Sequence, residues 1–455
     1  MDAKAFSVRG RRVVVVGAAR SGIAATELAA RRGAHVTLTE VRDRFEDGER
    51  LRAAGVTLEL GGHRAATIEG ADLIVTSPGV PSDLPILDLA RRRGVEVIGE
   101  LELAWRWTAG RVIAVTGTKG KSTTTTLIGR MLAASGARVL VGGNIGTPLS
   151  AQVDASTPDT IHVVEVSSFQ LETTTAFRPW VAVWLNFSAD HLDRHPSLDA
   201  YRSAKARVFA QQTAEDWAVL NADDPVVMAG AAGTAARRVL FSRSGAAGDA
   251  VVVDGDWIVR RTGTAVERLA PLDAVELTGS HMLDDVLAAA AAAGVAGADA
   301  RAMVEGLRGF YGVPHAMEPA GQVGGVRFVN DSKATNVEAA RRSIESFDRG
   351  VVAIVGGRFK GGDLRALREP LMRRGRAAIA IGESAGLVCQ ALAGVVPVHP
   401  AASMREAVER AFDAARPDGV VLLAPACSSF DWFRDYAERG EAFKEEVARL
   451  QSRER

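Results

Sequence analysis

The sequence predicts an α/β protein of three domains with mainly parallel sheets. Short apolar runs alternate with helical patterns from one end of the chain to the other, the mark of successive βαβ units. The length of 455 residues suits three domains of about 100–200 residues each. Glycine-rich turns follow apolar strands at Gly17, Gly117 and Gly356, where a parallel sheet presents ligand-binding loops.

The first unit, expected over 1–99, opens with the strand Arg12–Val16, a turn, a helix through Ala30 and the strand His35–Glu40. Leu73–Thr76 reads as a further strand with a turn through Gly79, and 95–98 closes the unit. The second, over 100–312, places a strand at 111–116 and later strands at 161–166, 181–186 and 217–221. Residues 229–268 read as small β elements and loops without chemistry, followed by a helix at 282–293 and a linker near 309–314. The third, over 313–455, reads as doubly wound, with strands at 326–330, 351–355, 377–381, 395–398 and 420–423. Its tail from Glu438 reads as a solvated amphipathic helix.

An apolar fraction of 47% lets each domain bury its own core. A formal net charge of zero argues against a nucleic-acid binder, so affinity for phosphate must come from local loops. Cys389 and Cys427 lie far apart without metal-type spacing and read as reduced thiols. No run approaches the ~20 apolar residues of a membrane span, and no signal core follows the N-terminus. These features predict a cytoplasmic protein without membrane insertion.

The strongest chemical signal is Gly117-Thr118-Lys119-Gly120-Lys121-Ser122, set between a strand and a helix. Backbone N–H groups of such a turn, with the helix N-terminus, cradle phosphate. Lys121 is placed to reach the terminal phosphates and Ser122 to offer its hydroxyl to Mg²⁺. Glu165, at the end of an apolar strand beside the loop, is the expected Mg²⁺ carboxylate. The cluster Asp190-His191-Leu192-Asp193-Arg194-His195 follows another strand, with His191 the chosen metal ligand. In the first unit, Gly17-Ala18-Ala19-Arg20-Ser21-Gly22 approaches a dinucleotide turn, and Glu40 stands where a ribose-binding acid is expected. That leaves a NAD(P)-linked enzyme as an alternative, alongside a non-catalytic nucleotide-binding regulatory module. In the third unit, the loops at 330–336, 356–363 and 424–431 follow strands and imply a ligand crevice.

Together GTKGKS at 117–122, EVSSFQLE at 165–172, ADHLDRH at 189–195, YRSAK at 201–205, NDSKATN at 330–336 and APACSSFDWF at 424–433 resemble the Mur ligase family over nearly the whole chain. The last two separate the glutamate-adding branch from relatives such as folylpolyglutamate synthase. The resemblance implies a Rossmann-like N-terminal domain for the UDP-sugar, a central P-loop ATPase-type domain, and a Rossmann-like C-terminal domain for the amino acid and part of ATP. It implies ATP-dependent amide-bond formation between UDP-N-acetylmuramoyl-L-alanine and glutamate, with an acyl phosphate intermediate, in peptidoglycan precursor synthesis. Residues Gly117, Thr118, Lys119, Gly120, Lys121, Ser122, Thr123, Asp285, Asp331 and Lys333 would serve ATP. Ser122 and Glu165 would hold one Mg²⁺, and His191 a second, together with a CO₂-derived carbamate on Lys205. Lys121, His191 and Lys205 would be the catalytic group. Ser21, Arg42, Gly79 and Asn144 would lie along the UDP-sugar, and Thr335, Lys360, Ser429 and Tyr436 around the glutamate. A monomer whose third domain closes on the second is expected. The chain departs from the family at Gly279–Asp285, where G-x-H-N-x-x-N is usual and both Asn positions differ, and at His315-Ala316, where His-Arg is usual. Both departures fall on expected ATP contacts.

Overall fold

The computed structural model describes residues 6–191, 194–277 and 282–454. The chain divides into two compact units, 1–310 and 311–455. Among the described residues there are three sheets, the first two in the first unit.

The first sheet is built from β1 (Arg12–Val16), β2 (His35–Glu40), β3 (Thr57–Leu60), β4 (Leu73–Thr76) and β5 (Glu96–Gly99). Its order is β3-β2-β1-β4-β5, all parallel. Val13 to Val16 are buried on both faces, as continuous apolar runs in a parallel sheet should be.

The second sheet comprises β6 (Arg111–Thr116), β7 (Arg138–Gly143), β8 (Thr160–Glu165), β9 (Val181–Trp184), β10 (Trp217–Asn221), β11 (Arg237–Ser242), β12 (Ala250–Asp254), β13 (Trp257–Thr262) and β14 (Ala265–Pro271). The order β14-β13-β12-β11-β10-β9-β6-β8-β7 puts the phosphate-loop strand β6 between β8 and β9. Pairing is parallel from β7 to β12, while β13 and β14 add antiparallel edges. The stretch expected as small β elements therefore extends the main sheet.

The phosphate-loop helix Lys121–Ala134 is held by two others, Met282–Val295 and Ala300–Leu307. Asp285 to Ala293 are buried throughout. The Arg130 guanidinium donates to the Gly306 carbonyl at 2.8 Å. Gly306 permits this approach, because a Cβ there would lie 2.8 Å from the backbone of Met131.

The third sheet fills the second unit: β15 (Glu318–Val323), β16 (Val326–Asn330), β17 (Val351–Gly356), β18 (Gly375–Ile381), β19 (Val398–Pro400) and β20 (Val420–Leu423). Its order is β15-β16-β20-β17-β18-β19, parallel except for β15. The strand expected at 395–398 lies later: Val395 closes a turn on Leu392, and only Val398 to Pro400 pair with β18. The tail is not a solvated helix. Tyr436–Arg453 buries Arg439, Gly440, Phe443, Val447 and Leu450, a stripe at helical spacing packed on the sheet.

Among the described residues no helix is long and apolar enough to cross a membrane. Replacing Gly306 with valine overpacks the contact under the phosphate-loop helix. It should destabilise the first unit by about 1–3 kcal/mol. A fall in melting temperature followed by circular dichroism checks this; an unchanged melt would show that these helices do not depend on the close approach.

Candidate functional site

The phosphate loop owes its shape to two glycines. Gly117 has φ 153° and Gly120 φ 79°. A Cβ at Gly117 would meet Leu185 at 2.9 Å, and one at Gly120 would clash with the carboxylate of Asp285. The loop closes on Lys121, whose Nζ donates to the carbonyls of Gly117 at 3.0 Å and Thr118 at 2.9 Å.

The strand order brings polar side chains to both flanks of this loop. On one side Glu165 ends β8, opposite Val115 of β6 and Gly143 of β7. It is 2% exposed. Its carboxylate accepts from Ser122 Oγ at 2.6 Å and from Asn144 Nδ2 at 2.7 Å. Both of these donors are neutral. On the other side Asn186 follows β9. Its Oδ1 accepts from the N–H groups of Thr118 at 3.1 Å and Lys119 at 2.9 Å, and its Nδ2 donates to Lys119 O. Sequence reasoning passed over Asn186, although a polar residue at a strand end beside β6 is the same signal that identified Glu165.

Helix Leu198–Ala206 supplies Lys205, with Tyr201 one turn earlier on the same face. Lys205 is 1% exposed, its Nζ donates to the Gly117 carbonyl at 2.7 Å, and it sits 4.7 Å from the Tyr201 ring centre. Burial drives its ammonium well below the ordinary lysine range. The Lys121 charge adds to that, against a smaller opposing pull from Asp190 and Glu165.

His191 takes a left-handed backbone conformation, φ 55°, with its N–H on Asp190 Oδ1. Its ring meets Phe169 edge-on. Leu192 and Asp193 of the same cluster lie outside the described residues. His195 is structural rather than ligating: its Nε2 lies 2.9 Å from Ser168 Oγ, its Nδ1 lies 3.0 Å from Glu172, and its ring stacks on Phe169.

Of the residues expected along the sugar nucleotide, Asn144 and Gly79 approach this centre. Asn144 holds Glu165, and the Gly79 carbonyl accepts from Arg194 at 3.3 Å. Ser21 and Arg42 stay at the turn of the first sheet, where Arg42 donates to Ala18 O and to Glu40. Glu40 is also bonded to Ala18 N at 2.6 Å. Burial would raise its pKa, but the bonds from Arg42 and Ala18 prevail and hold it at about 2. A ribose would have to displace those bonds.

Asp285 is buried against Gly120. Burial, with Asp284 beside it, raises its carboxyl to about 7. The Gly279–His281 part of that departure lies outside the described residues.

In the second unit, Asp331 is buried and accepts from Ser343 Oγ and from Met317 N at 3.2 Å; burial raises its pKa. Lys333 bonds to His315 O through its backbone. Thr335, Lys360 and Ser429 sit on the three loops at the strand C-termini, joined by Ala426 N to Ala334 O and by paired bonds between Arg358 and Ser428. Lys360 Nζ lies 5.9 Å from the Phe430 ring centre. Tyr436 starts the final helix, and its carbonyl accepts from Ser332 Oγ at 2.7 Å. Sequence reasoning missed Arg439, a buried arginine indistinguishable in the sequence from a surface one.

Known families match along the chain. Residues 11–99 match the Mur ligase MurD-like N-terminal domain, 115–293 the Mur ligase middle domain, and 317–427 the Mur ligase glutamate ligase domain. The chain is 45% identical to the UDP-N-acetylmuramoylalanine–D-glutamate ligase of Acidobacterium capsulatum, over 97% of each. It is 44% identical to the enzyme of that name from Pelotomaculum thermopropionicum, over 97% of this chain and 98% of the relative. The UDP-N-acetylmuramate-alanine ligase of Thermotoga maritima shares the fold: TM-score 0.57 at 18% identity, over 97% of this chain and all of that one.

Proposed function

The chain belongs to the Mur ligase family, and we propose that it joins D-glutamate to UDP-N-acetylmuramoyl-L-alanine at the expense of ATP, in peptidoglycan precursor synthesis. The observation that best supports this reading is the convergence of Lys121 and Lys205 on the Gly117 carbonyl, beside the Ser122–Glu165 pair.

In this reading the carboxylate of the muramyl substrate attacks the γ-phosphate in line, giving an acyl phosphate and ADP. The glutamate amine then attacks the acyl carbon, and inorganic phosphate leaves. No enzyme nucleophile is needed, so the protein acts by positioning and charge neutralisation. The N–H groups of the 117–123 loop and Lys121 hold the triphosphate. Asp285, and Asp331 and Lys333 of the second unit, are proposed to contribute to ATP.

Mur ligases use ATP and Mg²⁺. Glu165 fits such an ion: a buried carboxylate bonded only to neutral donors, beside a hydroxyl, is a hard oxygen site. Bound Mg²⁺ would neutralise charge on the phosphate oxygens. We assign Ser122 and Glu165 to one ion, and His191 with a carbamate on Lys205 to a second. The carbamate fits because only a neutral amine reacts with CO₂, and burial favours the neutral form of Lys205. Ser21, Arg42, Gly79 and Asn144 are proposed for the UDP-sugar, and Thr335, Lys360, Ser429 and Tyr436 for glutamate.

Phosphate release from ATP with UDP-N-acetylmuramoyl-L-alanine and D-glutamate, L-glutamate or other amino acids in turn tests the reaction; no release with any of them refutes it. Lys121→Ala should lower kcat by about 10²-fold or more, as loss of one preorganised charge does; near wild-type turnover would remove Lys121 from the mechanism. Lys205→Ala should be inactive and partly rescued by short carboxylic acids, and full activity without them would end the carbamate assignment. Asp285, held at about 7, should ionise beside the phosphate loop as the pH rises through neutrality. Its raised pKa favours folding at acid pH, and that contribution fades between the ordinary carboxylate range and about 7. ATP affinity should therefore fall above pH 7 more steeply in the wild type than in Asp285→Asn. Parallel calorimetric pH profiles would show that Asp285 does not face the nucleotide.

A further inference from the structure

Among the described residues of the second unit, a buried positive charge has no carboxylate within ion-pair distance. Arg439, one turn into the final helix, is 1% exposed. Its Nε donates to Ser332 Oγ at 2.9 Å, one terminal nitrogen to Ser332 O at 2.9 Å, and the other to Cys427 O at 3.1 Å. All three acceptors are neutral. Among the described residues no carboxylate lies within ion-pair distance of it. Asp431, which also helps hold the guanidinium charged, uses its carboxylate to cap Glu383 N at 3.0 Å. Burial lowers the arginine only to about 10, so it stays charged near neutral pH.

A buried guanidinium bonded to neutral groups alone is costly unless an anion arrives to compensate it. The bonds of Arg439 run to the segments that carry the residues proposed for glutamate. Ser332 is three residues before Thr335, and Cys427 two before Ser429. Gly357, three before Lys360, packs against the guanidinium: φ is 133°, and a Cβ there would lie 3.2 Å from Arg439 Nη1. Ser332 Oγ passes the network on to the carbonyl of Tyr436.

We propose that Arg439 is a positioning residue for the incoming amino acid, tying together from beneath the segments that carry Thr335, Lys360, Ser429 and Tyr436, and that its charge makes this crevice selective for a dicarboxylic substrate. The inference rests on the ligase reading and assigns it a residue that touches no substrate. Acting through the loops and through its field, Arg439 discriminates a side-chain carboxylate from its amide.

The test uses full-length Arg439→Met and Arg439→Lys. Three quantities are read: steady-state KM values, hydroxylamine trapping of the acyl phosphate without glutamate, and calorimetric titration with D-glutamate, which needs no turnover. Arg439→Met should raise the KM for D-glutamate roughly tenfold or more, as loss of a buried charge partner does. The KM for ATP and the trapped acyl phosphate should stay near wild type. Arg439→Lys, which keeps the charge and loses the fork, should recover much of that affinity. An unchanged KM for D-glutamate overturns the proposal, and so does a parallel loss of trapping and ATP affinity, the signature of a merely structural staple. If Arg439→Met does not fold, Arg439→Lys decides: a several-fold rise in that KM alone supports the role, and none overturns it. If the wild type traps no acyl phosphate, the ligase reading has failed, and weaker D-glutamate titration in the variants still reads Arg439 separately.

Discussion

The carbonyl of Gly117 accepts from two lysines, at 3.0 Å from Lys121 and 2.7 Å from Lys205. A carbonyl oxygen has lone pairs for both, but two ammonium groups at such range repel each other. The conflict resolves unequally because the surroundings are unequal. Lys121 is only partly buried, whereas Lys205 is buried and loses preference for its proton. One carbonyl therefore joins a partly buried lysine at the loop to a deeply buried one that gives up its proton readily. That arrangement depends on the direction of the carbonyl, which the backbone turn at Gly117 and Gly120 sets.

Around this pair the sheet acts as a ruler. With β6 between β8 and β9, the first residues beyond their ends must flank the loop, because parallel strands deliver their C-termini to one edge. Glu165 arrives on one flank, bonded to two neutral donors, and Asn186 on the other, clamping two loop N–H groups. The helices beneath keep the loop in place through close contacts such as Gly306 on Met131, which a larger residue would prise apart.

The phosphate loop and its neighbouring strands were legible in the sequence because their signals are local: glycines at special backbone angles, Lys-Ser opening a helix, and apolar runs such as Val112 to Val115. The edges were not. β7 is half exposed and β14 carries Glu267 and Arg268, so neither shows the continuous apolar run of a buried parallel strand. β3 is only four residues long, with one residue buried. The tail helix misled because its charges outnumber the stripe Phe443, Val447 and Leu450 that seats it. Site residues followed the same rule. Glu165 could be found because a strand leads to it, whereas Arg439 could not, since its burial depends on loops about 100 residues earlier in the chain.

The first sheet shows how a familiar strand-turn-helix geometry can be closed by its own side chains. Gly17, with φ 93°, leads the strand into a turn so close to the next that a Cβ would lie 2.8 Å from Val80. This is the strand-turn-helix geometry of dinucleotide-binding domains, and Glu40 stands where such domains bind ribose. Here, however, the Glu40 carboxylate closes the turn by bonding Ala18 N–H and Arg42, and its low pKa keeps it ionised in that role. Arg42 is held by Glu40 while its side chain remains half exposed, so it can still meet an anion beyond the turn. An acid placed where dinucleotide-binding domains bind ribose is here tied up within its own turn, and architecture alone would not have shown that.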